Sequence, residues 1–216
     1  HPDLVRRIAA AGHEIASHGY NHELIYNQTE EEFRDDIVRA RHLLQDISGQ
    51  EVIGYRAPSY TIMARTLWAL PVLAAAGYRY DSSIFPIKRR RYGIPRAPRW
   101  PYRIELDQGL SIVEFPLPTI QFGPINIPAT GGAYLRLLPF GLQRWAVGRM
   151  IKAQKPFVLN FHPWELDPNQ PSFPVKPLTK LTHYHNLSRA EIRLGRLLML
   201  EEYATQAEVL NRIGFH

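Results

Sequence analysis

His13-Glu14-Ile15-Ala16-Ser17-His18-Gly19-Tyr20-Asn21-His22 reads as a short strand running into a polar turn with two histidines four residues apart. Upstream, Pro2 suits the first turn of a helix whose Leu4, Val5 and Ile8 share a face, and Gly12 stops that helix. Downstream, Thr29 and Glu32 have capping-box spacing, and Phe33, Ile37, Leu44 and Ile47 recur at helical intervals. Glu30/Arg34 and Asp35/Arg39 add pairs four apart on its surface. Residues 52–55 then read as a strand, 64–76 as a helix ended by Gly77, and 78–84 as a strand. Pro71 is expected to kink or break the middle element. Helix and strand alternate at the length of a β/α unit, which predicts an α/β fold with a parallel sheet or barrel.

The rhythm changes beyond that point. Residues 86–130 are rich in proline, arginine and aromatics and hold an apolar stretch at 110–117; they read as an insertion with hairpin-like strands of its own. Residues 134–154 read as mostly helical despite Pro139. Phe157-Val158-Leu159-Asn160-Phe161 is almost continuously apolar, as in a strand buried on both faces, and His162 ends it. After a proline-rich loop at 163–177, Ser188/Glu191 and Thr205/Glu208 predict two more capped helices, the last ending near Gly214. The whole, residues 1–216, reads as a single domain.

Composition narrows the chemistry. There is no cysteine among the 216 residues, so a metal would have to sit on His, Asp or Glu. The formal charge of +6 helps solubility and can attract acidic polymers, but it names no partner. No apolar run is long enough to span a membrane. The chain begins at His1-Pro2 without methionine, and the expectation is that its natural N-terminus lies further upstream.

Four motifs could carry chemistry, each with a plainer alternative. His18 and His22 are spaced as two imidazole ligands of a divalent ion, or are simply hydrogen-bonding loop histidines. Arg56, in Tyr55-Arg56-Ala57-Pro58-Ser59-Tyr60, could hold a carboxylate through two parallel bonds, or be a surface arginine at a strand end. Asp81, in Tyr80-Asp81-Ser82-Ser83, could be catalytic or a turn cap. His162, in Phe161-His162-Pro163-Trp164-Glu165, is placed for acid–base work, or is a satisfied core histidine. All follow predicted strands, and the C-terminal ends of parallel strands converge on one site.

In this order, SHGYNH, YRAPSY, YDSS and FHPWE resemble the NodB-homology polysaccharide deacetylases of the carbohydrate esterase family 4 type. The branch they resemble most is that of exopolysaccharide loci, which also has a late segment like His183-Tyr184-His185-Asn186-Leu187. The resemblance implies a distorted (β/α) barrel that here lacks its first strand. It implies a hydrolase that removes N-acetyl groups from a polysaccharide with the help of a divalent metal, usually zinc. His18 and His22 would bind the metal, Arg56 would steer the catalytic carboxylate, and Asp81 would orient and tune His162. His162 would protonate the leaving amine, a main-chain N–H at Ser59 or Tyr60 would help hold the oxyanion, and Trp164 would line the substrate groove. The family's early acidic motif, which supplies the base and a third ligand, has no counterpart here, since Asp3 and Glu14 are the only carboxylates before His18 and neither fits. Gly19 stands where the family often has Ser or Thr.

Lys88-Arg89-Arg90-Arg91 with Tyr92, Trp100 and Tyr102 reads as a solvated loop rather than a nucleic-acid surface; aromatics there would suit sugar stacking. An amidase of the same barrel family acting on a non-sugar substrate, or a polysaccharide-binding protein without catalysis, are the rival readings. The compartment, bacterial cytoplasm or cell envelope, and the oligomeric state stay open.

Overall fold

A computed structural model describes residues 1–215 of the chain, which divide into two compact units, residues 1–117 with 204–215 and residues 118–203.

The first unit is built on a four-stranded sheet. Helix α1 (Pro2–Ala10) leads to a turn in which Gly12 takes φ +83°. Helix α2 (Glu30–Ser48) opens on the expected capping box, with Thr29 accepting from the Glu32 N–H, and closes on left-handed Gly49. Strand β1 (Gly54–Tyr55) follows, then helix α3 (Ala69–Ala75) and strand β2 (Tyr80–Asp81). Pro71 is the third residue of α3, inside the first turn, where the helix has no use for its missing N–H. The expected helix over 64–76 is therefore a 3-10 turn at Ala64–Thr66 followed by a short α-helix.

Strands β3 (Tyr102–Glu105) and β4 (Ser111–Glu114) form an antiparallel hairpin, but β4 also pairs in parallel with β2. The apolar stretch read as part of an insertion thus supplies a strand of the main sheet, in the order β1-β2-β4-β3. Of the predicted strand over 13–18, Ser17 makes one parallel bridge to Tyr55. Its N–H donates to Gly54 O at 2.9 Å and its carbonyl accepts from Arg56 N–H at 3.0 Å.

Helices α2 and α3 cover one face of this sheet. Phe33 and Ile37 of α2, Leu70 and Leu73 of α3, and Val52, Tyr55, Tyr78 and Ile112 are all essentially inaccessible. Each such side chain contributes about 1.5–3 kcal/mol on burial. Phe33, Tyr55 and Tyr78 pack edge to face, and the Tyr78 hydroxyl, buried among them, is satisfied by donating to Ile37 O at 2.9 Å. Helix α8 (Gln206–Arg212) returns to this unit: Ala207 N–H donates to Glu14, which also accepts from Tyr80 Oη at 2.8 Å.

The second unit holds an antiparallel hairpin, β5 (Thr119–Phe122) and β6 (Ile125–Pro128), and four helices: α4 (Ala133–Leu137), α5 (Phe140–Lys152), α6 (Pro177–Tyr184) and α7 (Leu187–Leu198). Pro139 splits the helix expected over 134–154 by terminating α4 and capping α5. Helix α7 starts one residue before Ser188, after Asn186 in a left-handed conformation, so Ser188 and Glu191 lie inside the helix instead of capping it. Residues 157–161 form no strand pair among the described residues. Their carbonyls are used singly instead: Val158 O accepts from Thr130 Oγ1 at 3.2 Å and Asn160 O from Gly132 N–H at 3.0 Å.

Candidate active site

Four residues stand in one register row across the first unit's sheet: Ser17 opposite Tyr55, Tyr55 opposite Asp81, and Asp81 opposite Glu114. The ladder continues one step further, with Ser82 N–H donating to Tyr55 O at 2.9 Å and Phe115 N–H to Asp81 O at 2.7 Å. His18 and Arg56 are each the next residue beyond the row. Parallel pairing therefore brings three of the four sequence motifs to the same level at the C-terminal ends of the strands, where α/β folds place their sites.

Both histidines are exposed, and their rings meet edge to face with centroids 4.9 Å apart. His18 Nδ1 lies 2.6 Å from Arg56 O. A carbonyl can only accept, so Nδ1 carries the proton and Nε2 the lone pair. That is how a ligand histidine is oriented from behind. His22 has φ +55°. Together the two imidazoles fit part of a divalent-metal set, but among the described residues no group of three His, Cys, Asp or Glu converges on one position.

Arg56 is half-buried and points across to the next strand, its Nε donating to Ser82 O at 2.9 Å and its Nη2 to Ser82 Oγ at 2.7 Å. Asp81 and Glu114, opposite each other in the sheet, have no solvent exposure. Ser83 donates to both Asp81 oxygens, from its hydroxyl and its N–H, and Glu114 Oε1 accepts from Ile84 N–H at 3.0 Å. Burial pushes both carboxyls up from their ordinary range, and the Asp81 charge pushes Glu114 up further, while nearby Arg56 works the other way on both. Asp81 is thus part of a buried carboxyl pair; Glu114, which nothing in the motifs indicated, is its partner. The sequence signal for it is a charged residue inside the apolar stretch at 110–117.

Ser59 and Tyr60 lie in a turn where both have positive φ, +53° and +57°, which is costly for two consecutive non-glycine residues. The Tyr60 N–H donates to Ala57 O at 3.0 Å, so this turn already engages it. The Tyr60 ring packs edge to face against Phe85 and Tyr92. The aromatic residue after the Lys88–Arg91 run therefore belongs beside the YRAPSY motif, while the four cations themselves are exposed.

His162 and Trp164 belong to the second unit. The carboxylate at His162 there is Glu165: its Oε2 accepts from His162 N–H at 2.9 Å and lies 3.2 Å from Nδ1. Glu165 is fully buried and ion-paired with equally buried Arg136 at 2.9 Å. Burial alone would raise the Glu165 carboxyl, but the His162 bonds and the Arg136 charge more than offset this and hold it below its ordinary range. Arg136 also donates to the carbonyls of Thr182, His183 and His185. Trp164 stacks on His183 at 4.1 Å, with the Arg136 guanidinium 5.1 Å from its ring centroid. The FHPWE and HYHNL segments are thus joined through one arginine that the sequence did not single out.

Comparison with known proteins covers almost the whole chain. The family model "Polysaccharide deacetylase" matches residues 1–80, and "Domain of unknown function (DUF3473)" matches residues 82–211. A peptidoglycan deacetylase of Helicobacter pylori is 27% identical over 140 residues, 63% of this chain and 45% of that protein. The chain thus matches less than half the length of that relative. Among solved structures, a putative polysaccharide deacetylase from Mycobacterium smegmatis aligns with TM-score 0.65 at 22% identity, over 99% of this chain and 67% of that one. Puue allantoinase aligns with TM-score 0.58 at 17% identity, over 98% of this chain and 62% of that one. Both likenesses concern the fold alone, which is the NodB-type α/β architecture of the polysaccharide deacetylase. No helix among the described residues is long and apolar enough to cross a membrane.

Proposed function

From the match of residues 1–80 to the polysaccharide deacetylase family model and of residues 82–211 to DUF3473, we propose that the chain takes part in metal-dependent removal of N-acetyl groups from a polysaccharide, as a hydrolase of non-peptide C–N bonds. The observation that carries this reading is the pair of adjacent imidazoles at the strand ends, one oriented from behind by the Arg56 carbonyl.

In this reading His18 and His22 hold a divalent cation, zinc by the chemistry of two neutral imidazoles. When bound, the cation supplies Lewis acidity at the acetamide and a more acidic attacking water. A carboxylate ligand and a general base would complete such a site. Arg56 steers that base and sets the charge around Asp81. Its own position is fixed by Ser82. The Ser59–Tyr60 turn faces the developing oxyanion with a main-chain N–H, Ser59 being the better candidate because the Tyr60 N–H is engaged by Ala57.

His162 delivers the proton to the departing amine, without which a very basic amide anion would have to leave. Glu165, on its Nδ1 side, holds the ring. Tyr60 and Trp164 offer aromatic faces to sugar rings. The substrate is an N-acetylated polysaccharide, and modification of an exopolysaccharide is the setting that the FHPWE and HYHNL segments favour.

The test is acetate release from N-acetylated glycans by the 216-residue chain and by the whole product of its gene, with and without a chelator. The whole product is expected to release acetate in a chelator-sensitive way, and His162→Ala in it to lower the rate by about 10²–10⁴. Release that survives both the chelator and the His162 substitution would refute the reading.

A further inference from the structure

Asp36 lies on α2, outside all four motifs, yet its carboxylate grips the loop between the two histidines. Oδ2 accepts from Tyr20 N–H at 2.8 Å and Oδ1 from Asn21 N–H at 2.9 Å. The residue is only 7% exposed. A buried carboxylate is expensive unless its oxygens are satisfied, and here consecutive main-chain donors of this loop satisfy both.

Gly19 makes room for that grip. It has φ +76°, and a Cβ added there would lie 2.9 Å from Asp36 Oδ2. The departure from the family's usual Ser or Thr at this position therefore has a steric reason. One helical turn along, Arg39 lies over the Tyr20 ring at 3.8 Å and donates to Tyr20 Oη at 2.9 Å. Asp36 and Arg39, three residues apart on one face of α2, thus hold the loop by its backbone and by its side chain.

Other restraints lie at or near its ends. Ser17 is locked into the sheet, its hydroxyl accepts from Gly19 N–H at 3.3 Å, His18 leans on Arg56 O, and His22 has a left-handed backbone. Without a restraint at residues 20–21, nothing among these would fix His22 relative to His18. Ligand pairs need placement to about 0.5 Å to bind well.

We propose that Asp36 is the positioning residue that fixes the spacing of the His18 and His22 rings, and that Gly19 is glycine to admit its carboxylate. The proposal rests on the reading of the two histidines as metal ligands.

Two measurements on the chain test it together: amide-proton exchange at Tyr20 and Asn21 without metal, and zinc affinity by calorimetric titration. In the wild-type chain both amides should be protected. Asp36→Asn keeps the shape but turns one acceptor into a donor facing an N–H. It should expose at least one of the two amides and weaken zinc binding about 10–100-fold. Gly19→Ala, which leaves α2 untouched, should do the same if Asp36→Asn folds poorly. Asp35→Asn, on the exposed side of α2, should change neither reading. Unaltered zinc affinity in a folded Asp36→Asn or Gly19→Ala chain would overturn the proposal, even with a lowered melting temperature, because that marks a purely structural role. If the wild-type chain binds no zinc while Asp36→Asn still exposes the amides, the metal reading falls and the loop-holding role of Asp36 stands.

Discussion

His18 Nδ1 sits 2.6 Å from the main-chain oxygen of Arg56, so one motif residue fixes the tautomer of another through its backbone, not its side chain. The first prediction follows directly. Long-range ¹H–¹⁵N correlation spectra of the metal-free chain at neutral pH should show His18 protonated on Nδ1, and zinc should shift its Nε2 resonance. Arg56→Ala keeps the carbonyl and should leave that tautomer in place, whereas His18→Ala should remove zinc binding. An Nε2–H tautomer in the wild-type chain would contradict the orientation described.

Glu114 is predicted to keep its proton to higher pH in the folded chain than an ordinary carboxyl does. Both buried carboxyls are raised by burial, and their mutual repulsion favours keeping one proton. A carboxyl whose folded value is raised binds its proton more tightly when folded. Its contribution to stability is thus greatest below the ordinary carboxylate range and declines as pH climbs towards the raised value, by up to about 1.4 kcal/mol per pH unit. Glu114→Gln can still accept from Ile84 N–H and donate to Asp81, so it should fold and flatten this decline. Urea denaturation of both proteins across pH 5–9 provides the comparison, and parallel pH profiles would show that the pair does not hold the proton.

The Arg136–Glu165 pair has the opposite sign. The Glu165 carboxyl is held below its ordinary range, so the pair contributes fully above that range, and its contribution is lost as pH falls through the depressed value. Removing one partner leaves a buried charge alone. Glu165→Ala or Arg136→Met should each destabilise the second unit by about 3–5 kcal/mol. Limited proteolysis should then cut first within 163–185, where both segments lose their anchor. Wild-type resistance in either variant would show that the pair is dispensable.

Gly54 lies in β1 beneath the ring of Tyr80, whose far edge would collide with any Cβ there. The ring cannot swing away cheaply, because it is buried and its hydroxyl is tied to Glu14. Gly54→Ala should cost about 1–3 kcal/mol through overpacking. Gly141, which has open space around it, should tolerate alanine. Thermal melts of the two variants should differ in that order, and similar melts would remove the steric argument.

Local signals predicted much of the first unit. The capping boxes at Thr29/Glu32 and Thr205/Glu208, the helix at Pro2–Ala10 and the parallel order of the strands follow from patterns that short-range physics enforces. Proline and arginine around β4 give it the composition of an insertion and mask its pairing with β2, a long-range choice that no local pattern encodes. The apolar run at 157–161 looked like a strand, but pairing depends on a neighbour that sequence periodicity cannot name. At the candidate site, His18 and Arg56 announced themselves by residue type and position. Asp36, Glu114 and Arg136 did not, since each acts through main-chain groups or a buried partner, and a lone charge on a helix or strand carries no local signature.

Arg136 also bears on how this chain can change over time. By holding Glu165 at one end and the carbonyls of Thr182, His183 and His185 at the other, it pins both ends of the intervening proline-rich excursion. With the ends fixed, doubling the excursion would add only about 0.6 kcal/mol of loop-closure entropy. Insertions between residues 174 and 175, beyond the bonds that Gln170 and Phe173 make to His183 and Tyr184, should therefore be nearly neutral for folding, which leaves this point free to diversify while the residues on either side of it stay in register.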